Sequence, residues 1–254
     1  MLKKLFFNDF NAIRRHGLRY LLFALGCGLA SFLILLLDAV LPKVGDTALF
    51  LANTLTALVA ILLLSAAVLL LLSALQVFLR FYRNFFTAEG EITFLLPATR
   101  RELLLSKLLS GGVFCLVVFF AALLVLTVGL LLPLELLMRA ENASFLSSLL
   151  RSVADSLSVF SAFDLLILFL TQTVLIDTAI TVGVLFFQKK KALGAVGFYL
   201  LALILILLLR SCVSFLAEEI PMLSSLLSIL ISISALFGGY LITYKLFGRD
   251  LHFV

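Results

Sequence analysis

Asp177 stands alone in the apolar run "LTQTVLIDTAITVG", residues 170–183, twelve residues ahead of Lys189. That spacing is roughly 18 Å of helix. A charge at mid-bilayer depth costs at least about 2.5 kcal/mol, which makes such a residue a functional suspect by default. Thr173, Asp177 and Thr181 recur at i, i+4 and share one helical face, with Gln172 and Thr178 beside them. The set supports two readings. It can form a polar patch on a translocation path or a protonatable switch, or it can be an interhelical hydrogen-bond cluster that fixes packing. Asn53, Thr54 and Thr56 form a second polar group in another apolar run and are a candidate counterpart.

Other chemistry is sparse. His16 and His252 lie at opposite ends of the chain, in no HExxH and no Ser-His-Asp arrangement. GxSxG is absent, and so is GxxxxGK[ST], so no P-loop for ATP is expected in this chain and no enzymatic activity of its own. Cys27, Cys115 and Cys212 sit in apolar runs without CxxC spacing, which points to no metal and no disulfide framework. Asp164 and Arg210 fall near span ends, where snorkelling to the interface accounts for them.

The elements that carry these residues are set by composition. Of 254 residues, 64% are hydrophobic and 13% charged, with a mean hydropathy of +1.27. A soluble domain is about 45–50% apolar and about 25% charged. The excess must face lipid. Runs long enough to cross about 30 Å of hydrocarbon are predicted at 20–41, 50–79, 108–132, 165–187, 192–209 and 222–244. Thr47–Leu79 is uncharged for 33 residues, or about 50 Å of helix, so tilt or a polar outer turn must absorb the excess. The fold class is therefore an all-α membrane protein of six spans in a single transmembrane domain, 1–254.

The charges orient it. With the N-terminus in the cytoplasm, the inner side holds 15 of the 19 Lys and Arg, leaving only Lys43, Arg139, Arg151 and Arg210 outside. Every connection agrees with the positive-inside rule, so both termini are expected inside. The pI of about 9.3 and net charge of +5 reflect that asymmetry and do not point to nucleic acid. Residues 1–17 place Leu2, Leu5, Phe6, Phe10 and Ile13 opposite Lys3, Lys4, Arg14 and Arg15, which reads as an interfacial amphipathic helix on anionic headgroups. A second amphipathic face, from Leu146 to Phe160, is expected in the outer connection 134–164.

One connection is more elaborate than a turn requires: "RFYRNFFTAEGEITFLLPATRRELLLSKLL", residues 80–109. Arg80 and Arg83 end the second span, Phe81, Tyr82, Phe85 and Phe86 can lie in the interface, and Glu89, Gly90 and Glu91 turn the chain. Pro97 stops the preceding element. Thr99 with Glu102 forms a capping box that restarts a helix at Arg100. Two elements thus meet at a Pro-Ala-Thr corner, which fits a docking element better than a plain anchor.

The aromatic-basic end of the second span, the EG pair, the "LP-x-[ST]-R" corner and "SK-L-L" resemble the six-span, second-type permeases of bacterial ATP-binding-cassette exporters. Here the match falls on Phe81, Tyr82, Arg83, Asn84, Glu89, Gly90, Thr93, Leu96, Pro97, Thr99, Arg100, Ser106 and Lys107, about thirty residues of chain; the family's EGY is EGE in this sequence. The resemblance implies that segment 80–107 contains a coupling helix seated in a separate ATPase subunit. Glu89, Gly90, Glu91, Thr93, Leu96, Pro97, Arg100, Arg101 and Lys107 would form the contact. It further implies ATP and Mg²⁺ bound by that partner and none by this chain, a second permease copy or homologue completing the path, and a bacterial cytoplasmic membrane. Two rivals remain open: a proton-coupled carrier using Asp177, and a non-transporting immunity or assembly protein.

Overall fold

A computed structural model of the chain describes residues 2–40, 46–87, 98–131, 159–187, 189–216 and 221–249. Among these residues every regular element is helical. The helices are α1 (Leu2–Val40), α2 (Asp46–Phe86), α3 (Arg100–Leu126), α4 (Val159–Phe186), α5 (Lys191–Leu216) and α6 (Pro221–Arg249), and α3 ends in a π-helical turn, Thr127–Leu131. All six are long and apolar enough to cross a membrane, so the chain is an all-α, multi-pass membrane protein. Their faces look outward with Leu, Ile, Val and Phe, as a lipid solvent requires.

The helices run beyond the predicted spans. Residues 2–17 are helical and run into the first span without a break, as part of α1. No proline falls in α1, and Gly17 alone costs only about 1 kcal/mol against alanine, too little to end a helix held along its length. α2 is likewise one helix of 41 residues, about 60 Å long. Pro221 opens α6 at a position where its missing N–H loses no helical bond. The outer amphipathic helix expected at 146–160 lies outside the described residues apart from Val159 and Phe160, which open α4.

The sequence reads as one domain, but the chain divides into two compact units. One contains α1 through Ala12, α2 from Val77, α3 through Leu116, and α4 to α6. The other contains α1 from Ile13, α2 through Gln76, and α3 from Val117. In this second unit small residues let backbones approach. Ser31 Oγ lies 2.7 Å from the Gly28 carbonyl and 3.3 Å from that of Gly129. A methyl on Gly129 would stand 2.8 Å from that hydroxyl, so close packing depends on the glycine.

In the first unit α4 packs on both α5 and α6. It is the most enclosed span, with 56% of its apolar window buried against 11–39% for the others. The turn from α4 to α5 is tight: a Cβ on Gly183 would lie 2.6 Å from both the Lys191 oxygen and the Ala195 nitrogen. Only glycine fits there.

Candidate functional site

The capping box at the start of α3 forms as the spacing of Thr99 and Glu102 predicts. Thr99 donates from its backbone N–H to Glu102 Oε2 at 3.1 Å and from its hydroxyl at 3.0 Å, while Glu102 N–H returns a bond to Thr99 Oγ1 at 3.3 Å. These reciprocal bonds satisfy donors that the first turn of a helix leaves unpaired. Arg100 and Arg101 follow at once and are both exposed. Leu103 and Leu104 come next, each only 2% exposed. The cap therefore hands an exposed cationic pair directly to a buried anchor.

That anchor is aromatic. Leu104 packs with Phe81 and Phe85 of α2 and Phe247 of α6. The ring centroids lie 5.1 Å apart for Phe81–Phe85 and 4.7 Å for Phe85–Phe247, within the range of favourable aromatic contact. Phe81 and Phe85 were expected at the lipid interface; they are 4% and 3% exposed inside the protein. The physical reason is their i, i+4 spacing, which puts both on the single face of α2 that meets α3 and α6.

Lys107, expected in the docking contact, is engaged within the chain. Its ammonium pairs with Asp9 of α1, and the Ser106 hydroxyl donates to the other Asp9 oxygen at 3.3 Å. Phe10 adds an edge contact to Phe114, with centroids 6.4 Å apart. Asp9 is 3% exposed. One signal was present in the sequence, a lone acid between Leu5 and Ile13 on the apolar face of a basic segment. Of the other residues assigned to the corner, Glu89, Gly90, Glu91, Thr93, Leu96 and Pro97 lie outside the described residues.

The α4 set resolves into two kinds of residue. Thr173, Asp177 and Thr181 are all buried, as their common face predicts. The threonine hydroxyls bond their own helix, Thr173 to the Leu170 carbonyl at 2.7 Å and Thr181 to that of Asp177 at 2.9 Å. Neither holds the Asp177 carboxylate, whose Oδ1 is buried with no hydrogen-bond partner among the described residues. Gln172 accepts from the Tyr199 hydroxyl at 2.9 Å. Asn53 and Thr54 belong to the second unit, where both are exposed. Thr54 Oγ1 bonds the Leu51 carbonyl, and Thr56 that of Asn53.

Interhelical packing is carried by residues one step round the helix. Thr171 Oγ1 reaches the Ser232 carbonyl at 3.0 Å and Thr178 Oγ1 that of Gly239 at 3.1 Å, seven residues on along both helices. Thr243 Oγ1 closes the seam on Thr178 Oγ1 at 3.0 Å. These bonds fill the structural role that one reading gave to Asp177.

Asp164 and Arg210 do more than snorkel. They pair with each other, and Arg210 also bonds Ser228 Oγ at 3.1 Å. The clue in the sequence was one charge of each sign in spans predicted to be antiparallel neighbours.

No group of metal-ligating side chains occurs among the described residues. Comparison of the chain with protein-family models, with curated proteins and with solved structures gives no match. The functional reading therefore rests on the residues themselves.

Proposed function

We propose that this chain is the permease subunit of an ATP-driven exporter of the bacterial cytoplasmic membrane, with both termini in the cytoplasm. It works with a separate P-loop ATPase and a second permease copy or homologue. The observation that carries this reading is the Thr99–Glu102 box, which joins the exposed Arg100–Arg101 pair to a membrane-spanning helix without a flexible joint. A force applied at the corner passes into α3, and through Leu104 to the ends of α2 and α6. ATP and Mg²⁺ bind the partner; this chain receives the motion. The segment resemblance at 80–107 supports the same assignment by analogy.

The buried, unpartnered Oδ1 of Asp177 favours a second reading, a proton-coupled carrier in which that carboxyl relays the ion. Isolation from the native membrane in mild detergent separates the two. The first reading expects a P-loop ATPase to be retained in stoichiometric amount, with ATP turnover in the complex. Isolation of an active transporter with no ATPase, driven by a proton gradient, would contradict it and establish the second.

A further inference from the structure

Between α4, α5 and α6 lies an open cleft of about 550 Å³, within the size range of small-ligand sites. Its lining is mixed: Leu203 and Leu207 of α5 contribute apolar surface, and Gln172, Arg210, Ser211 and Ser228 contribute polar groups. Arg210 is an expensive residue for an otherwise uncharged stretch of span, and its surroundings explain how it is kept. Asp164 neutralises it from α4, and both side chains are 19% exposed.

The pair leaves recognition capacity unused. Both bonds from Arg210 to the protein come from Nη2, one to Asp164 and one to Ser228. Its Nε and Nη1 donors have no acceptor among the described residues, and neither is sealed from contact as the buried Asp164 Oδ1 is. Ser211, exposed on the next position of α5, accepts at its carbonyl from Ser214, while its hydroxyl has no partner among those residues. Guanidinium presents its donors as a planar fork that matches phosphate oxygens, and serine hydroxyls complete such a shell. α5 is only 11% buried over its apolar window, so a molecule dissolved in the bilayer reaches this wall directly.

We infer that this cleft binds a phosphate-headed amphiphile, with the phosphate on Arg210 and Ser211 and an acyl chain along Leu203 and Leu207. Asp164 is a positioning residue: it orients the guanidinium and keeps the empty site free of net charge. The inference does not depend on the exporter reading. Free phosphate shares the head chemistry, but it would leave the leucine wall uncovered.

Native mass spectrometry of the purified full chain in maltoside detergent tests this, with dioleoyl-phosphatidylglycerol, dioleoylglycerol and inorganic phosphate as probes. The phospholipid should be retained about tenfold better than the diacylglycerol, as the loss of charged hydrogen bonds implies. Inorganic phosphate should not displace it. Ser211→Leu replaces a polar group of the cleft with an apolar one while leaving the Asp164–Arg210 pair in place, and should lower retention about tenfold at an unchanged melting temperature. Arg210→Lys, which keeps the charge but loses the fork, should bind more weakly than wild type. Equal retention of the two lipids, or wild-type retention in Ser211→Leu, would overturn the proposal. Displacement by inorganic phosphate would overturn its amphiphile class.

Discussion

At the scale of single residues, Asp177 separates packing from function. The α4–α6 seam is bonded by Thr171, Thr178 and Thr243, while the Asp177 carboxylate has an unpartnered oxygen in a buried position. An unpartnered buried acid destabilises a fold, and an amide of the same shape has no charge to desolvate, so the exchange should not weaken the protein. Asp177→Asn should melt at or above the wild-type temperature in detergent. Thr178→Val should lose about 0.6–1.7 kcal/mol, the range of membrane interhelical bonds. A clear drop in melting temperature for the Asn variant would return Asp177 to the packing role. Transport in that variant with unchanged rate and pH dependence would eliminate a proton relay. That Asp177 faces inward was legible in the sequence, because a lone acid in an apolar run is too costly to leave facing lipid. Which hydroxyls bonded across helices was not, since Thr173 and Thr178 differ only by their angle around α4.

At the scale of elements, the cap of α3 was legible because a capping box is local: Thr99 and Glu102 are three residues apart, and backbone geometry alone brings them together. The anchor beneath it was not. Phe81 and Phe85 suit lipid and protein equally well, so their burial depends on Leu104 and Phe247, which are remote in sequence. Lys107 likewise looked like one more inner-side cation, because its partner Asp9 is 98 residues away. The Asp9–Lys107 pair fastens the start of α1 to the start of α3, with side chains only 4% and 11% exposed. Breaking one member of such a pair typically costs about 3–5 kcal/mol, because the other charge stays buried alone. Lys107→Met should therefore destabilise the detergent-solubilised chain by roughly that amount, and Asp9→Leu added to it should recover most of the loss. Equal melting of the wild type and Lys107→Met would show the pair to be solvated and without consequence.

At the scale of the whole molecule, the number of spans was legible because hydrocarbon thickness sets a minimum apolar length that six runs exceed. Helix ends were less so: backbone bonds persist into the interface, so α2 and α6 outrun their hydrophobic windows. The proposed orientation follows from Lys and Arg placement. In a chain whose three cysteines are replaced by alanine, single cysteines at Ser147 or Glu218 should react with an impermeant thiol reagent outside intact cells. Cysteines at Thr99 or Lys190 should be protected until the membrane is opened. The reverse pattern would place the corner outside the cell, beyond reach of any cytoplasmic ATPase.

The proposed ATPase seat lies at the capped start of α3, where the exposed cations beside the cap can be changed without touching the fold. Arg100→Glu/Arg101→Glu changes two exposed side chains and leaves the Thr99–Glu102 bonds and the Leu104 anchor unaltered. Exposed substitutions rarely shift stability by more than about 0.5 kcal/mol each, so the variant should insert and melt as the wild type does. The decisive quantity is the amount of P-loop ATPase recovered per copy of this chain after mild-detergent isolation, read together with ATP turnover in lipid. Both should fall sharply in the double variant at normal levels of the chain. Wild-type ATPase recovery and turnover in that variant would contradict the proposed seat and reduce the corner to a positive-inside anchor.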